Sequence, residues 1–289
     1  MNYFLHILVM IGIYLPLAYS LNLTVGYGGL LSVAHAAFYG IGAYAFTLLL
    51  TGAQLHPLVA VPAAVLLTGL IALGVGTISL RFRGDLFLFV TLGFQMIVFV
   101  LLLNWVGLTK GPYGIPGIPR PSFFGMIIRT PMQYAILALV MNAMVLPLLF
   151  ALYRSPFGKA LKALRENEAA ASALGINPRR LHIQAFVWSA AFAAIPGAFY
   201  ASYITYIDPS SFTLKESIFI AATLLLGGSG NRIGPLVGVV LMLLLPEALR
   251  FVGLPDAVAH NLREIIYGLL LAVLMYLRPQ GIAGEYRMS

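Results

Sequence analysis

Three observations predict an all-α polytopic membrane protein with about eight or nine transmembrane helices. The chain of 289 residues is 61% hydrophobic and only 9% charged, whereas a soluble domain carries about 25% charged residues because its surface must face water. No Asp, Glu, Lys or Arg precedes Arg81, and charge-free runs recur at 86–109, 130–153, 183–207, 217–231, 233–246 and 265–277. Charges gather at the ends of these runs, as the cost of placing them in hydrocarbon requires. A spanning helix needs about 20 mostly apolar residues, so residues 1–289 accommodate the spans as one transmembrane domain.

Taken in order, the spans read as 3–21, 29–51, 57–80, 86–106, 131–152, 183–206, 214–228, 234–252 and 263–278. No positive segment of a signal peptide precedes the first run, which reads as a retained span. The seventh is short enough to be a half-helix or re-entrant segment. Between the fourth and fifth, residues 107–131 are dense in Gly and Pro, a composition that forms loops and not helices. Pro196-Gly197 interrupts the sixth span, which signals a kink or a close helix contact. Asn22 to Gly29 and Gly227 to Gly234 are both Gly-rich breaks that enter a helix, a faint sign of two related halves.

Orientation follows from the basic residues, which favour the cytoplasmic side. The loop 153–182 holds Arg154, Lys159, Lys162, Arg165, Arg179 and Arg180. Alternating the spans from there adds Arg81, Arg83, Arg232, Arg278 and Arg287 to that side. Lys110, Arg120, Arg129, Lys215, Arg250 and Arg263 fall on the other. Eleven against six predicts an external N-terminus and a cytoplasmic C-terminus. The net charge of +8 therefore reports loop retention and gives no reason to expect nucleic acid.

Residues 153–182 form the most informative polar stretch. Ser155 can cap a helix and Pro156 suits its first turn, while Gly175 and Asn177-Pro178 supply a stop. Phe157, Leu161, Leu164, Ala171 and Leu174 recur at helical spacing, which predicts one amphipathic helix of about four or five turns. Such a helix either lies on anionic lipid or docks into a groove on a cytoplasmic partner; amphipathicity alone favours the first.

The order of residues shifts that balance. Arg154-Ser155-Pro156-Phe157-Gly158-Lys159-Ala160-Leu161, Ala163-Leu164-Arg165-Glu166-Asn167-Glu168-Ala169-Ala170 and Ala173-Leu174-Gly175-Ile176-Asn177 resemble the coupling segment of ABC importer permeases. More narrowly, they resemble branched-chain amino acid ABC transporter permeases of the LivM type. The general importer pattern places three residues between Glu-Ala-Ala and Gly; here Glu168-Ala169-Ala170 precedes Gly175 by four. Stretches in the same family order include Asn22 to Ser32 with His35 to Tyr44, Leu80 to Asp85 with Val90-Thr91-Leu92, Gly114 to Pro119, Leu226 to Pro235, and Arg278 to Gly281. Lys110 before Gly111 and Ser229-Gly230-Asn231-Arg232 are local departures.

The resemblance implies a subunit of a bacterial inner-membrane importer for hydrophobic amino acids. It would pair with a second related permease, two cytoplasmic ATP-binding cassette subunits and an extracytoplasmic solute-binding protein. It also extends to permeases for urea and short amides. On this reading Ser155, Phe157, Gly158, Leu161, Leu164, Arg165, Glu166, Asn167, Glu168, Ala169 and Gly175 couple the chain to the ATPase. The chain would not be an enzyme and would hold no cofactor or metal, ATP being bound by its partners. It has no Gly-Lys-Ser/Thr phosphate loop, and without cysteine it has no thiolate metal site or cysteine nucleophile.

For the translocation path the candidates are Asn22, Gly26, Gly28, Gly29, Ser32, His35, Thr91 and Gln95. Irregular backbone at membrane depth is tolerated only against protein or a water-filled cavity. A helix starting near Ser32 would aim its positive end at such a cavity; the alternative is a tight glycine loop at the cytoplasmic face. His35, one turn into that helix, reads as a packed structural histidine or a proton carrier. Thr91 and Gln95, four apart on one face, line a passage or hydrogen-bond across helices, as do Asn104 and Asn142.

Two other classes are weighed. An ion-driven transporter normally keeps an acidic residue within a span, and the spans hold none well inside. An intramembrane serine protease would use Ser229 of Gly227-Gly228-Ser229-Gly230 with His260, but nothing in the spacing places the two within hydrogen-bond reach.

Overall fold

The computed structural model describes residues 2–82, 84–123, 126–250, 268–269 and 281–283, so the ninth expected span, 263–278, lies almost wholly outside the described residues, as does His260. In chain order the helices are α1 Asn2–Asn22, α2 His35–Thr51, α3 Pro57–Ser79, α4 Asp85–Asn104, the single turn α5 Val106–Thr109, α6 Pro131–Arg154, α7 Pro156–Glu166, α8 Glu168–Ala173, α9 Pro178–Ile204, α10 Leu214–Gly227 and α11 Gly234–Arg250. Among the described residues, six helical segments are long and apolar enough to cross a membrane, and α2 and part of α11 are shorter apolar helices.

α9 is the central post. It packs against α2, α3 and α1, while α1 also holds α6, α10 and α11. Burial follows that order: 67% of the apolar window of α9 is covered, against 22% for α3. The uncovered residues of α3, α4 and α6 are large and apolar, among them Leu66, Leu70, Phe89, Ile97, Leu139 and Met144. Only a lipid or another protein surface removes that much apolar area from water.

Between apolar helices in lipid, close approach and hydrogen bonds replace the hydrophobic drive. α2 and α9 meet backbone to backbone. A β-carbon added at Gly42 would lie closer than 3.0 Å to Ala194, and one at Gly197 equally close to the Tyr39 carbonyl. The Pro196-Gly197 signal is thus a close helix contact. Asn142 donates to the Gly12 carbonyl at 2.8 Å and so binds α6 to α1. Asn104 turns back on the Val100 carbonyl of its own helix.

The described residues of the Gly/Pro loop are ordered. After α5 comes a single 3₁₀ turn, Gly111–Tyr113. Then β1 Ile115–Pro116 pairs antiparallel with β4 Tyr206–Ile207, and β2 Ser122–Phe123 pairs with β3 Met126–Ile127. The β1–β4 pairing puts the α4–α6 and α9–α10 connections at one end of the bundle. At the other end, Arg179 donates to the Thr77 carbonyl and Arg165 to the Gly26 carbonyl. The basic cluster of 153–182 therefore shares one end with the α1 terminus and the α3–α4 turn, as alternation of the spans requires.

Helix starts follow their caps. Thr130 and Gln133 form a capping box on α6, and Ser155, Asn167, Asn177 and Asn231 each accept from a backbone N–H of the helix that follows. Three expectations need correction here. The helix expected over 155–175 is two helices. Asn167 adopts φ −156° and ψ 98° and accepts from the Ala170 N–H at 2.9 Å, because an Asn side chain offers the backbone an alternative to helix. Asn177-Pro178, read as a stop, is the N-cap and first residue of α9. Leu174, predicted on the apolar face, is 84% exposed: it follows the last residue of α8 as its C-cap, while Ala171 of the same predicted face is buried.

Candidate functional site

Two polar zones interrupt the apolar bundle, and each collects residues singled out above. The first lies where the N-termini of α2 and α10 meet. α1 continues through a wider turn, Leu23–Tyr27, in which the Gly28 N–H reaches back five residues to the Leu23 carbonyl. Residues 28–34 are then non-helical. α2 starts at His35, so His35 is its first residue and not one turn in. The delay has its cause in two bonds made just before the helix. The Val33 N–H bonds Thr91 Oγ1 at 3.3 Å and the Ala34 N–H bonds Ser32 Oγ at 3.4 Å, so neither is available to a helical ladder.

The orphan N–H groups that open any helix are satisfied here by other spans. The Ala36 N–H donates to Ser217 Oγ at 2.8 Å and the Ala37 N–H to Gln95 Oε1 at 2.7 Å. Gln95 also accepts from Ser217 Oγ and donates to the Phe212 carbonyl at 2.9 Å. One buried amide thus ties α4, α2, α10 and the 3₁₀ turn Pro209–Phe212 together. The His35 ring sits 2.9 Å from Ser20 Oγ, whose own carbonyl accepts from Ser189. His35, Thr91 and Gln95 are all buried; His35 and Gln95 hydrogen-bond to other helices and Thr91 to Val33 of the non-helical segment.

This zone shows why the seventh segment looks short. α10 has 14 residues, about 21 Å of rise against about 30 Å of hydrocarbon, and its first turn is inside the bundle beside α2. Glu216 is in that turn, accepting from Tyr14 Oη at 2.6 Å. The expectation that the spans hold no acidic residue well inside is corrected accordingly: a short helix that starts inside the bundle carries its first-turn carboxylate inside with it. Ser20, Ser189 and Ser217 were missed by sequence reasoning; isolated hydroxyls within charge-free runs were the available signal. Gln95→Leu removes three bonds, leaves the Phe212 carbonyl buried without its partner and leaves the Ala37 N–H with the Ala34 carbonyl alone. At about 1–3 kcal/mol for a stranded group, the midpoint of thermal unfolding in detergent should fall by several degrees.

The second zone is at the basic end. The two Gly-rich breaks touch. Asn22 Oδ1 accepts from the Gly230 N–H and Asn22 Nδ2 donates to the Asn231 carbonyl, both at 2.8 Å. Arg165 of α7 donates to the Gly26 carbonyl, and a β-carbon on Gly29 would press against the Arg165 stem. Lys162 stands 5.0 Å from the centroid of the Tyr27 ring, which stacks on Tyr153. Of the path candidates, Gly26 and Gly29 meet the coupling element through Arg165, and Asn22 joins them to the second break, whereas Ser32, His35, Thr91 and Gln95 belong to the first zone.

The coupling candidates divide by face. Leu161 and Leu164 are buried, Phe157 is half-buried, and Gly158 allows the turn from α6 because a β-carbon there would meet the Tyr153 carbonyl. Ser155 caps α7 through the Gly158 N–H at 3.3 Å. Glu166, Asn167, Ala169 and Gly175 face outward; Glu166 lies 4.0 Å from Arg165, and Gly175 holds φ +84°. Glu168 opens α8. Beside this assembly is a cavity of about 540 Å³, reached by Gly28 and Gly29 of the break and by Leu164, Arg165 and Glu168. Ser229 is buried in the second break. No group of three or more His, Cys, Asp or Glu that could hold a metal occurs among the described residues.

A polytopic helical bundle with helices broken inside it, joined to a two-helix element at its basic end, has the build of a membrane transporter. The chain belongs to the family described as branched-chain amino acid transport system permease component, whose model matches residues 3–275. It is 35% identical to the high-affinity branched-chain amino acid transport system permease protein LivM of Escherichia coli, over 93% of this chain and 67% of that one. A probable branched-chain amino acid transport permease of Methanocaldococcus jannaschii is 26% identical over 96% and 92%. The ribose import permease RbsC of Escherichia coli is 27% identical over 78% and 71%. No solved structure matches the chain.

Proposed function

We propose that the chain is one of two related permease subunits of an ATP-driven importer for branched-chain amino acids in a bacterial inner membrane. Two ATP-binding cassette subunits dock on α7–α8 from the cytoplasm, and a solute-binding protein delivers solute at the opposite end. The observation that carries this reading is the two-sided character of α7–α8. Its inner face is pinned to the α1 break by Arg165 and Lys162. Its outer face presents Leu174, Ala169, Ala170 and Ala173 away from the bundle. An exposed leucine among exposed alanines, on an element that also exposes Glu166 and Asn167, suits a groove on a protein partner. Force applied there reaches both glycine breaks through Arg165 and Asn22.

The partner set also draws on the relatives. The LivH permease of Escherichia coli, named for the same high-affinity branched-chain system as LivM, is 30% identical over 64% of this chain and 61% of that one. The solute class rests on the Escherichia coli LivM relative, matched at 35% identity over 93% of the chain against 27% over 78% for RbsC; urea and short amides remain the competing solutes.

Reconstitution tests the function. Liposomes holding this chain, its partner permease, both ATPases and the binding protein should accumulate leucine only with ATP. The chain alone should neither hydrolyse ATP nor take up leucine, and uptake by it alone would defeat the proposal. Leu174→Asp tests the docking face. A residue so exposed should change stability by no more than about 0.5 kcal/mol, yet the variant should lose most ATPase co-purification and uptake. Ser229→Ala should retain uptake and so separate this reading from a protease.

A further inference from the structure

We propose that the cavity at the basic end is a regulatory site for a free zwitterionic amino acid with an apolar side chain, taken from the cytoplasm. Its walls come from four elements: the break at 28–31, the α3–α4 turn with the start of α4, the junction of α7 and α8, and the first turn of α9. At about 540 Å³ it is within the range of small-molecule sites, about 300–1,000 Å³.

The lining selects the ligand class. Arg165 and Arg179 line it, each already donating one bond to a backbone carbonyl, and so do Asp85 and Glu168. A wall with both signs disfavours a pure anion or a pure cation, because one pair repels either. A dipolar ligand meets a partner at each end, carboxylate to guanidinium and ammonium to carboxylate. Leu31, Leu80, Phe82 and Leu88 form the apolar wall that would take a branched side chain.

Position gives the consequence. The cavity spans the seam between the joined α7–α8 and first glycine break on one side and the α3–α4 turn on the other, so it changes shape if motion at the coupling element carries the break. A ligand bridging the seam stabilises the one arrangement that closes on it, and so opposes cycling by its differential affinity. A full cytoplasmic pool would therefore slow further entry. This inference rests on the proposed solute class and orientation. It is distinguishable from them because binding to the site is read without uptake, and uptake is read without the site.

The test uses the full chain in phosphatidylglycerol nanodiscs, without the solute-binding protein, and the complete transporter in liposomes preloaded with leucine. Radiolabelled leucine should bind the nanodiscs, whereas leucinol, isocaproate and lysine should compete poorly. Arg179→Gln and Phe82→Ala should each weaken binding about tenfold, the loss of one charge-assisted or apolar contact. In liposomes, internal leucine should lower initial uptake several-fold for the wild type. Both variants should keep full uptake without internal leucine and lose the inhibition. No binding by nanodiscs of a chain that supports uptake would overturn the site while leaving the transporter intact. Equal inhibition of wild type and both variants would do the same. Displacement of leucine by phosphorylethanolamine at equal or lower concentration would assign the cavity to a lipid headgroup and overturn it as well.

Discussion

Gly42→Leu should leave almost no folded protein in the membrane, and Gly197→Leu should behave alike. At both positions the space a side chain needs is occupied by backbone of the facing helix, Ala194 in one case and Tyr39 in the other. Backbone cannot rotate away as a side chain can, so α2 and α9 must separate. Overpacking costs typically 1–3 kcal/mol and occasionally more; with helix backbone as the obstacle, about 3 kcal/mol or more is expected. That is a large part of the roughly 5–15 kcal/mol that holds a protein folded, and α9 is the post on which α1, α2 and α3 pack. The check is the monodisperse fraction that survives heating in detergent. Gly74→Leu and Gly93→Leu are the controls, because a β-carbon at either meets nothing within 4 Å. If the controls fell as far as the tests, close α2–α9 approach would not be the reason.

Arg165→Ala should abolish uptake while leaving the chain folded. The guanidinium is buried at the seam and holds the Gly26 carbonyl, so its loss removes a charge-assisted hydrogen bond worth about 1.5–3 kcal/mol. Leu161 and Leu164 still anchor α7, and a fall of only a few degrees in the unfolding midpoint is expected. Uptake by the assembled transporter should drop more than about tenfold, with ATP hydrolysis continuing, because the coupling element would move without carrying the break. Lys159→Ala, on the exposed face of the same helix, should change neither. Normal uptake by Arg165→Ala would sever the proposed mechanical link.

The bundle was legible because lipid imposes a simple rule. Apolar runs of helical length separated by charges must span, and the runs ending near Ser79, Asn104, Arg154 and Ile204 match helices within a few residues. Caps were legible for the same reason of local chemistry: Ser155-Pro156 starts α7 as expected. The Asn167 break was not, since Glu-Asn-Glu inside an amphipathic pattern reads as continuing helix until the Asn side chain takes a backbone N–H. Nor was the start of α2 at His35, which depends on Thr91, Gln95 and Ser217 arriving from 58, 58 and 181 residues away in sequence from the N–H groups of Val33, Ala37 and Ala36.

Composition and the spacing of charges, then, determine that this chain is a helical membrane protein, roughly where it crosses, and that one basic element is left outside. Those properties belong to each segment and its solvent. What only the tertiary structure decides is which polar groups meet: Gln95 with two helix starts, Asn22 with the second glycine break, Arg165 with the first. In a bundle where nearly every neighbour is apolar, a buried polar group is held by whichever partner the packing delivers, and that partner comes from another helix.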